Sequence, residues 1–387
     1  LTLKALDLYN KAEDTLYRAT WDYAYHSAAY FELAQISCIK GDFKKALHQV
    51  NEALSTNTKN TRIIGLKASI LRKLGSYSDA TKTLTEIHQI DPLSFRVENE
   101  MYLVAKASSN TSDTSKKLAN LTKKMRDDDQ NYLELAVGYL NEGLLLEAED
   151  VLQRYQGENP IVQYYLGYIQ DKLGNKDQAI NHFKMAGSLS EEYCFPFRLE
   201  TVKVLRKALE YNDEDGKAYY YLGNILFDKQ PAKAIEFWKN TIVSEPELAM
   251  AHRNLGWGYY NYGKDLEKAI TAYENAISFD HTDATFYTEL DKLYELNNSP
   301  VEIRLALFDG KNEFVKRRDD AFVRQLTVLT LAGEPDKAVG YLKDKVFSYR
   351  EGASTVREII IDAQLILGIQ YYSDKKYQKA LDHFLLA

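Results

Sequence analysis

Cysteine is nearly absent from this 387-residue chain, histidine is sparse, and neither a basic run nor a long apolar run occurs. Each shortage removes a class of function. The two cysteines, Cys38 and Cys194, stand far apart and read as separate buried thiols. The seven histidines, His26, His48, His88, His182, His252, His281 and His383, are scattered without an H-x-x-x-H spacing or paired cysteines. A zinc site or a Cys–His nucleophile therefore has no support in the sequence. A formal charge of −7 with no basic tract argues against nucleic acid as the main partner. No stretch approaches the roughly 18 apolar residues of a membrane span, and no charged-apolar-small segment resembles a signal peptide. The chain opens on Leu1 and stops at Ala387 inside an apolar-faced helical pattern, so it reads as a piece of a longer protein. Its compartment stays open between cytoplasm and periplasm.

Acidic side chains are plentiful, 56 in all, yet no pair stands out as a glycosidase couple. Asp127, Asp128 and Asp129 open a helix, where carboxylates complement the helix dipole. The spacing Gly258-x-x-x-x-Gly263-Lys264 matches a phosphate loop, but that loop must join a strand to a helix, and Asp265 stands where magnesium needs a hydroxyl. No catalytic residue, cofactor or metal ligand is expected.

What is present is a period. Gly41 and Gly75 are 34 residues apart, and Gly75 and Gly143 are 68 apart, twice that spacing. A small residue precedes each glycine by seven positions (Ala34, Ala68, Ala136) and an alanine follows it by five (Ala46, Ala80, Ala148). Gly174 repeats the pattern with Gly167 and Ala179. Gly223 with Ala234, Gly256 with Ala269, Gly333 with Ala338 and Gly368 with Ala380 carry it onward. Small residues at close helix contacts and glycine at a tight turn are the marks of a helix–turn–helix unit. A repeated hairpin also explains how so long a chain avoids a single oversized core.

The best copies, Tyr219-Tyr220-Tyr221-Leu222-Gly223 with Ala234, Trp238 and Pro246, and Asn254-Leu255-Gly256 with Tyr259, Ala269, Tyr273 and Ala276, resemble the tetratricopeptide repeat. That resemblance implies an all-α, right-handed superhelical solenoid of about ten hairpins, some degenerate, working as a non-enzymatic scaffold. A narrower likeness is carried by residues 21–33 (WDYAYHSAAYFEL), 71–75, 91–93, 194–199 and 252–256. These resemble the C-terminal half of large bacterial proteins in which such repeats follow a domain suspected to act on carbohydrate.

The array is interrupted three times. Residues 107–115 are small and polar and predict a mobile turn. Residues 188–197, followed by an extra helix from about Arg198 to Tyr211, predict a break between an array over 1–187 and a second over 216–387. Around Tyr287 and Tyr294 the turn glycine and the alanine are both missing, and Asn297-Asn298-Ser299-Pro300 makes the turn instead.

The resemblance also implies where a ligand would lie: ten, six, three and two residues before each turn, on the concave face. These positions are Tyr164, Tyr168, Asp171 and Lys172 in the fifth unit, then Tyr220, Asn224, Phe227 and Asp228, then Arg253, Trp257, Tyr260 and Asn261. Asn224 and Asn254 match the asparagines that grip a ligand's backbone. Tyr220, Thr285 and Glu289 replace the cations of a carboxylate clamp, so a C-terminal carboxylate is a poor ligand there. The 29 tyrosines favour such a groove, since the ring offers apolar area with a polar tip. The expected partner is a protein segment or a neighbouring domain N-terminal to this fragment. A glycan held for a carbohydrate-active enzyme is the alternative, and a homo-oligomer stays open.

Overall fold

The computed structural model describes residues 1–108, 111–342, 347 and 354–387. Among these the chain is an all-α, helical-repeat solenoid with no strand. It divides into two compact units, Leu1–Tyr211 and Asn212–Ala387.

In the first unit, α1 (Thr2–Ala5) and α2 (Tyr9–Ala19) lead into the hairpins α3/α4 (Tyr23–Ile39, Phe43–Thr56) and α5/α6 (Thr61–Lys73, Tyr77–Ile90). Next come α7/α8 (Phe95–Ala107, Thr111–Met125), α9/α10 (Asp129–Asn141, Leu145–Leu152) and α11/α12 (Pro160–Lys172, Lys176–Ser188). The unpaired helix α13 (Glu200–Tyr211) ends the unit and packs on α11. The second unit holds α14/α15 (Gly216–Leu226, Pro231–Ser244), α16/α17 (Ala249–Gly258, Leu266–Phe279) and α18/α19 (Ala284–Leu296, Val301–Phe308). The short α20 (Asn312–Val315) precedes α21/α22 (Asp319–Leu331, Pro335–Leu342) and α23/α24 (Ser354–Ser373, Tyr377–Leu386).

The hairpins form where local chemistry dictates. Gly41, Gly75, Gly143, Gly174 and Gly333 all turn the chain with φ of 73–85°, the left-handed region that excludes most side chains. Asp42, Asn60, Asp128, Asn159, Asp215, Asp265 and Asp283 cap the following helices by accepting backbone N–H groups. The alanines predicted at helix contacts, Ala46, Ala80, Ala148, Ala179, Ala234 and Ala269, are all fully buried. Gly223 has the same cause, because a Cβ there would stand 2.3 Å from the Trp238 ring nitrogen.

Two local expectations are corrected. The stretch 107–115 is not one turn, for α8 already begins at Thr111. Leu121 and Met125, one helical turn apart, are buried and hold α8 against the array, which extends the helix through the polar residues before them. Ser109 and Asn110, at the centre of that stretch, lie outside the described residues. The turn after α16 also falls one residue later than Gly263. Residues Tyr259–Gly263 form a π-helical turn, and Lys264 takes the left-handed position at φ 52°. The wider turn absorbs the extra residue of this repeat without breaking the hairpin.

The first unit returns on itself. At Gly143 a Cβ would lie 2.7 Å from both the Cα and the Cγ1 of Ile39, so the turn between α9 and α10 touches the end of α3. No such neighbour lies within 4 Å at Gly75. Gly75→Ala should then cost only the left-handed penalty, about 1–2 kcal/mol. Gly143→Ala should lose about 1–3 kcal/mol more, because backbone cannot move aside as a flexible side chain can. Urea denaturation of the two variants measures the gap, and equal losses would refute the contact.

Candidate interaction surface

The implied ligand positions fall into two classes in the structure. Tyr164, Tyr168 and Tyr220 are buried, the last two at 4% and 5% exposure. The expectation of accessible rings fails for these three. Tyr164 packs on Phe183, with centroids 6.5 Å apart, and Tyr220 on Tyr221 at 5.4 Å. Burial raises the Tyr168 phenol pKa, and the charge of Asp7 and the nearness of Tyr9, both distant in sequence, add to the rise.

The second class stays open. Trp257 is 40% exposed at the end of α16 and Tyr260 37% exposed on the π turn beyond it. Arg253 sits one turn earlier on the same helix, its guanidinium 5.4 Å from the Trp257 ring. It also donates to both carboxylate oxygens of Glu289, at 2.8 and 2.5 Å. Glu289, expected to repel a carboxylate, is thus neutralised by Arg253, and Arg253 in turn is not a free cation. Asn261 donates from Nδ2 to the Trp257 carbonyl at 3.0 Å, fixing the π turn against α16.

Asn224 and Asn254 meet each other. Oδ1 of Asn224 accepts from Asn254 Nδ2 at 2.9 Å and from Trp238 Nε1 at 3.0 Å. Arg253 Nη1 donates to Asn254 Oδ1 at 3.3 Å. Asn254 is buried and spent on these bonds, whereas Asn224 is half-buried and its Nδ2 donates to no group among the described residues. Phe227, also half-buried, stacks near Trp238 with centroids 5.2 Å apart. The surface therefore reduces to Asn224, Phe227, Arg253, Trp257, Tyr260 and Asn261. It offers two open rings, one amide and one neutralised arginine.

Residues 162–188 match the tetratricopeptide repeat family model. That segment spans α11 and α12 and contains Tyr164 and Tyr168. Among solved structures, the chain is similar to MamA from Desulfovibrio magneticus RS-1, with 21% identity, 49% of this chain and 96% of that one covered, and a TM-score of 0.30. It is similar to pilF of Pseudomonas aeruginosa at 14% identity over 55% of this chain and 87% of that chain, TM-score 0.31. IFIT1 aligns over 98% of this chain and 94% of its own at 13% identity and a TM-score of 0.35. These are likenesses of fold alone.

Among the described residues no three or more His, Cys, Asp or Glu side chains gather to hold a metal ion, and no helix is long and apolar enough to cross a membrane. The phosphate-loop spacing lies on α16 and the π turn, with Asp265 capping α17. Cys38 and Cys194 are both buried, and burial with the charge of Glu142 pushes the Cys38 thiol up to about 12.

The sequence did not single out the charged cluster inside the first unit. Glu100 is fully buried and accepts from Arg72 Nε at 2.8 Å and from Ser69 Oγ at 2.9 Å. Arg72 also reaches Glu147 at 3.0 Å, Lys73 reaches Glu147 at 2.6 Å, and Arg96 binds Glu142 at 2.5 Å. The Arg96 guanidinium lies 3.7 Å from the Tyr139 ring centre. These partners come from α5, α7 and α10 and from α9 with its C-cap Glu142, so buried charges join successive hairpins of this unit.

Proposed function

We propose that the chain is a non-enzymatic interaction module and that its second unit presents the Trp257–Tyr260 surface to an extended protein segment. One observation carries this: of the aromatic residues at inner positions, those on α11 and α14 are spent on packing, whereas Trp257 and Tyr260 stay open. An exposed ring pair flanked by an unspent amide suits an extended backbone, with rings taking side chains and the amide a peptide carbonyl. A π turn at the same place fits a functional reading, since such turns concentrate at binding sites.

Removing both rings, Trp257→Ala with Tyr260→Ala, should weaken binding by about 2 kcal/mol, or roughly 30-fold, the size of an interface hot spot. Neither ring is buried, so thermal melts should coincide with the wild type. Labelled wild type and double variant on a peptide array and a glycan array test the reading. Peptide spots lost in the variant alone support it; identical peptide patterns from both proteins overturn it.

A second reading rests on a different surface. Trp21, Phe195 and Phe197, in the stretches that carry the narrower resemblance, stand in solvent in the first unit. On that reading they hold glycan for a catalytic domain on the N-terminal side, and the module is the accessory part of a carbohydrate-active enzyme. Glycan spots lost on mutating these rings would favour it.

A further inference from the structure

We propose that residues 1–8 are an internal ligand: they occupy a two-lysine carboxylate site formed by α11 and α13, from which an acidic peptide can displace them. The site lies wholly within the first unit and does not rest on the Trp257–Tyr260 reading.

Asp7 carries the argument. Its carboxylate accepts from Lys203 Nζ at 2.6 and 2.7 Å and from the Tyr9 hydroxyl at 2.7 Å, and Lys172 Nζ stands 3.7 Å away. Lys172 is the last residue of α11, and its amine lies 5.5 Å from the Tyr168 ring centre. Lys203 comes from the extra helix α13, so the site exists only because that unpaired helix packs on α11. Burial works against the charge on Asp7, but the bonds from Lys203 and Tyr9 outweigh it and hold the carboxyl below its usual range.

The backbone adds a second observation. Asp7 has φ 57°, Asp7 N–H bonds to the Lys4 carbonyl at 3.0 Å, and Leu8 N–H bonds to the Leu3 carbonyl at 2.9 Å. That is the helix-ending turn in which glycine normally takes the left-handed place. Here a carboxylate stands there and is delivered straight to two lysines. The strain is accepted where the carboxylate is gripped.

The segment is held lightly. No residue of α1 is buried, and Leu1 and Leu6 are exposed. Its other anchor is Lys4, which binds Glu32 at 2.7 Å and also Gln35 on α3. Partly exposed ion pairs contribute little each and weaken with salt, so this contact can open without unfolding the array. Once open, it leaves Lys172, Lys203 and the Tyr168 edge facing an incoming carboxylate.

The test uses the full chain and a fluorescein-labelled peptide with the sequence of residues 1–9, titrated by anisotropy. Asp7→Arg puts a cation against two lysines and ejects the tethered copy. Its peptide affinity should exceed the wild type's by about tenfold if the wild-type site is closed nine-tenths of the time. Adding Lys172→Glu and Lys203→Glu should abolish binding, and so should a peptide with asparagine in place of the aspartate. Hydrogen exchange at residues 1–8 should be faster in Asp7→Arg than in the wild type, with the rest of the unit unchanged. Equal or undetectable peptide binding by the wild type and Asp7→Arg, binding that survives the lysine reversals, or unchanged exchange at residues 1–8 would each overturn the proposal.

Discussion

Glu100→Ala should destabilise the first unit by about 3–5 kcal/mol, the loss expected when one member of a buried ion network is removed. Glu100 is wholly enclosed and is the carboxylate that Arg72 and Ser69 both address. With it gone, Arg72 keeps Glu147 alone among the described residues, and Arg96 keeps Glu142 but loses the nearby charge of Glu100. The pH dependence identifies the cause. Burial alone would raise the Glu100 carboxyl, yet Arg72 and Arg96 bring it below its usual range. A group depressed in the fold contributes stability above its unfolded pKa, near 4.3 for glutamate, and loses it as pH falls through the folded value. The gap between wild type and Glu100→Ala should therefore be full at neutral pH and narrow below about pH 4. Glu142 acts with the opposite sign, because burial raises its carboxyl despite Arg96; the charge of Glu100 adds to that rise, so its removal relaxes Glu142 and this smaller effect also enters the gap. Chemical denaturation of both proteins across this range checks the claim, and a gap independent of pH would sink it.

Why this network escaped the sequence, while the hairpins did not, is a matter of range. A turn glycine and an alanine five residues later are fixed by one backbone turn and one helix contact, both local, and φ at Gly41, Gly75 and Gly143 follows. Lys264 shows the limit of that reasoning, since only the backbone reveals a π turn that shifts the left-handed residue past Gly263. The Glu100 bonds join residues 28 and 31 positions apart, across neighbouring hairpins. The repeat brings such positions together, but nothing local marks which charges meet. Tyr168 and Trp257 make the same point for the binding surface. They hold equivalent positions in their repeats, yet one is covered and the other open. Asp7 and Tyr9 act on the Tyr168 phenol from far along the chain, and no window around Tyr168 contains them.

Asp291→Ala should cost the second unit about 3 kcal/mol, by the same physics in a hairpin that lacks its usual supports. The hairpin α18/α19 has neither the turn glycine nor the alanine of its neighbours, and Asn298 makes its turn at φ 53°. An ion cluster joins it instead. Asp291 on α18 is fully buried and accepts from Arg304 of α19 at 2.8 and 3.0 Å and from Arg324 of α21 at 2.6 Å. One carboxylate thus ties both helices of the hairpin to the first helix of the next. Glu295 also bonds both arginines, at 3.3 Å to Arg304 and 2.9 Å to Arg324, but it is half exposed and screened by water. Without Asp291, two largely enclosed guanidinium groups lose their buried counter-charge. Replacing Asp291 together with both arginines is a different operation, for apolar residues of similar volume strand no buried charge, and the half-exposed Glu295 is left to water. Asp291→Leu combined with Arg304→Met and Arg324→Met should therefore stay within about 1 kcal/mol of the wild type. Urea denaturation of the single and triple variants separates the two effects. A triple variant as unstable as Asp291→Ala would show that the cluster is needed for its charges and not merely for its enclosure, and a single variant losing under about 1 kcal/mol would show that Glu295 alone suffices.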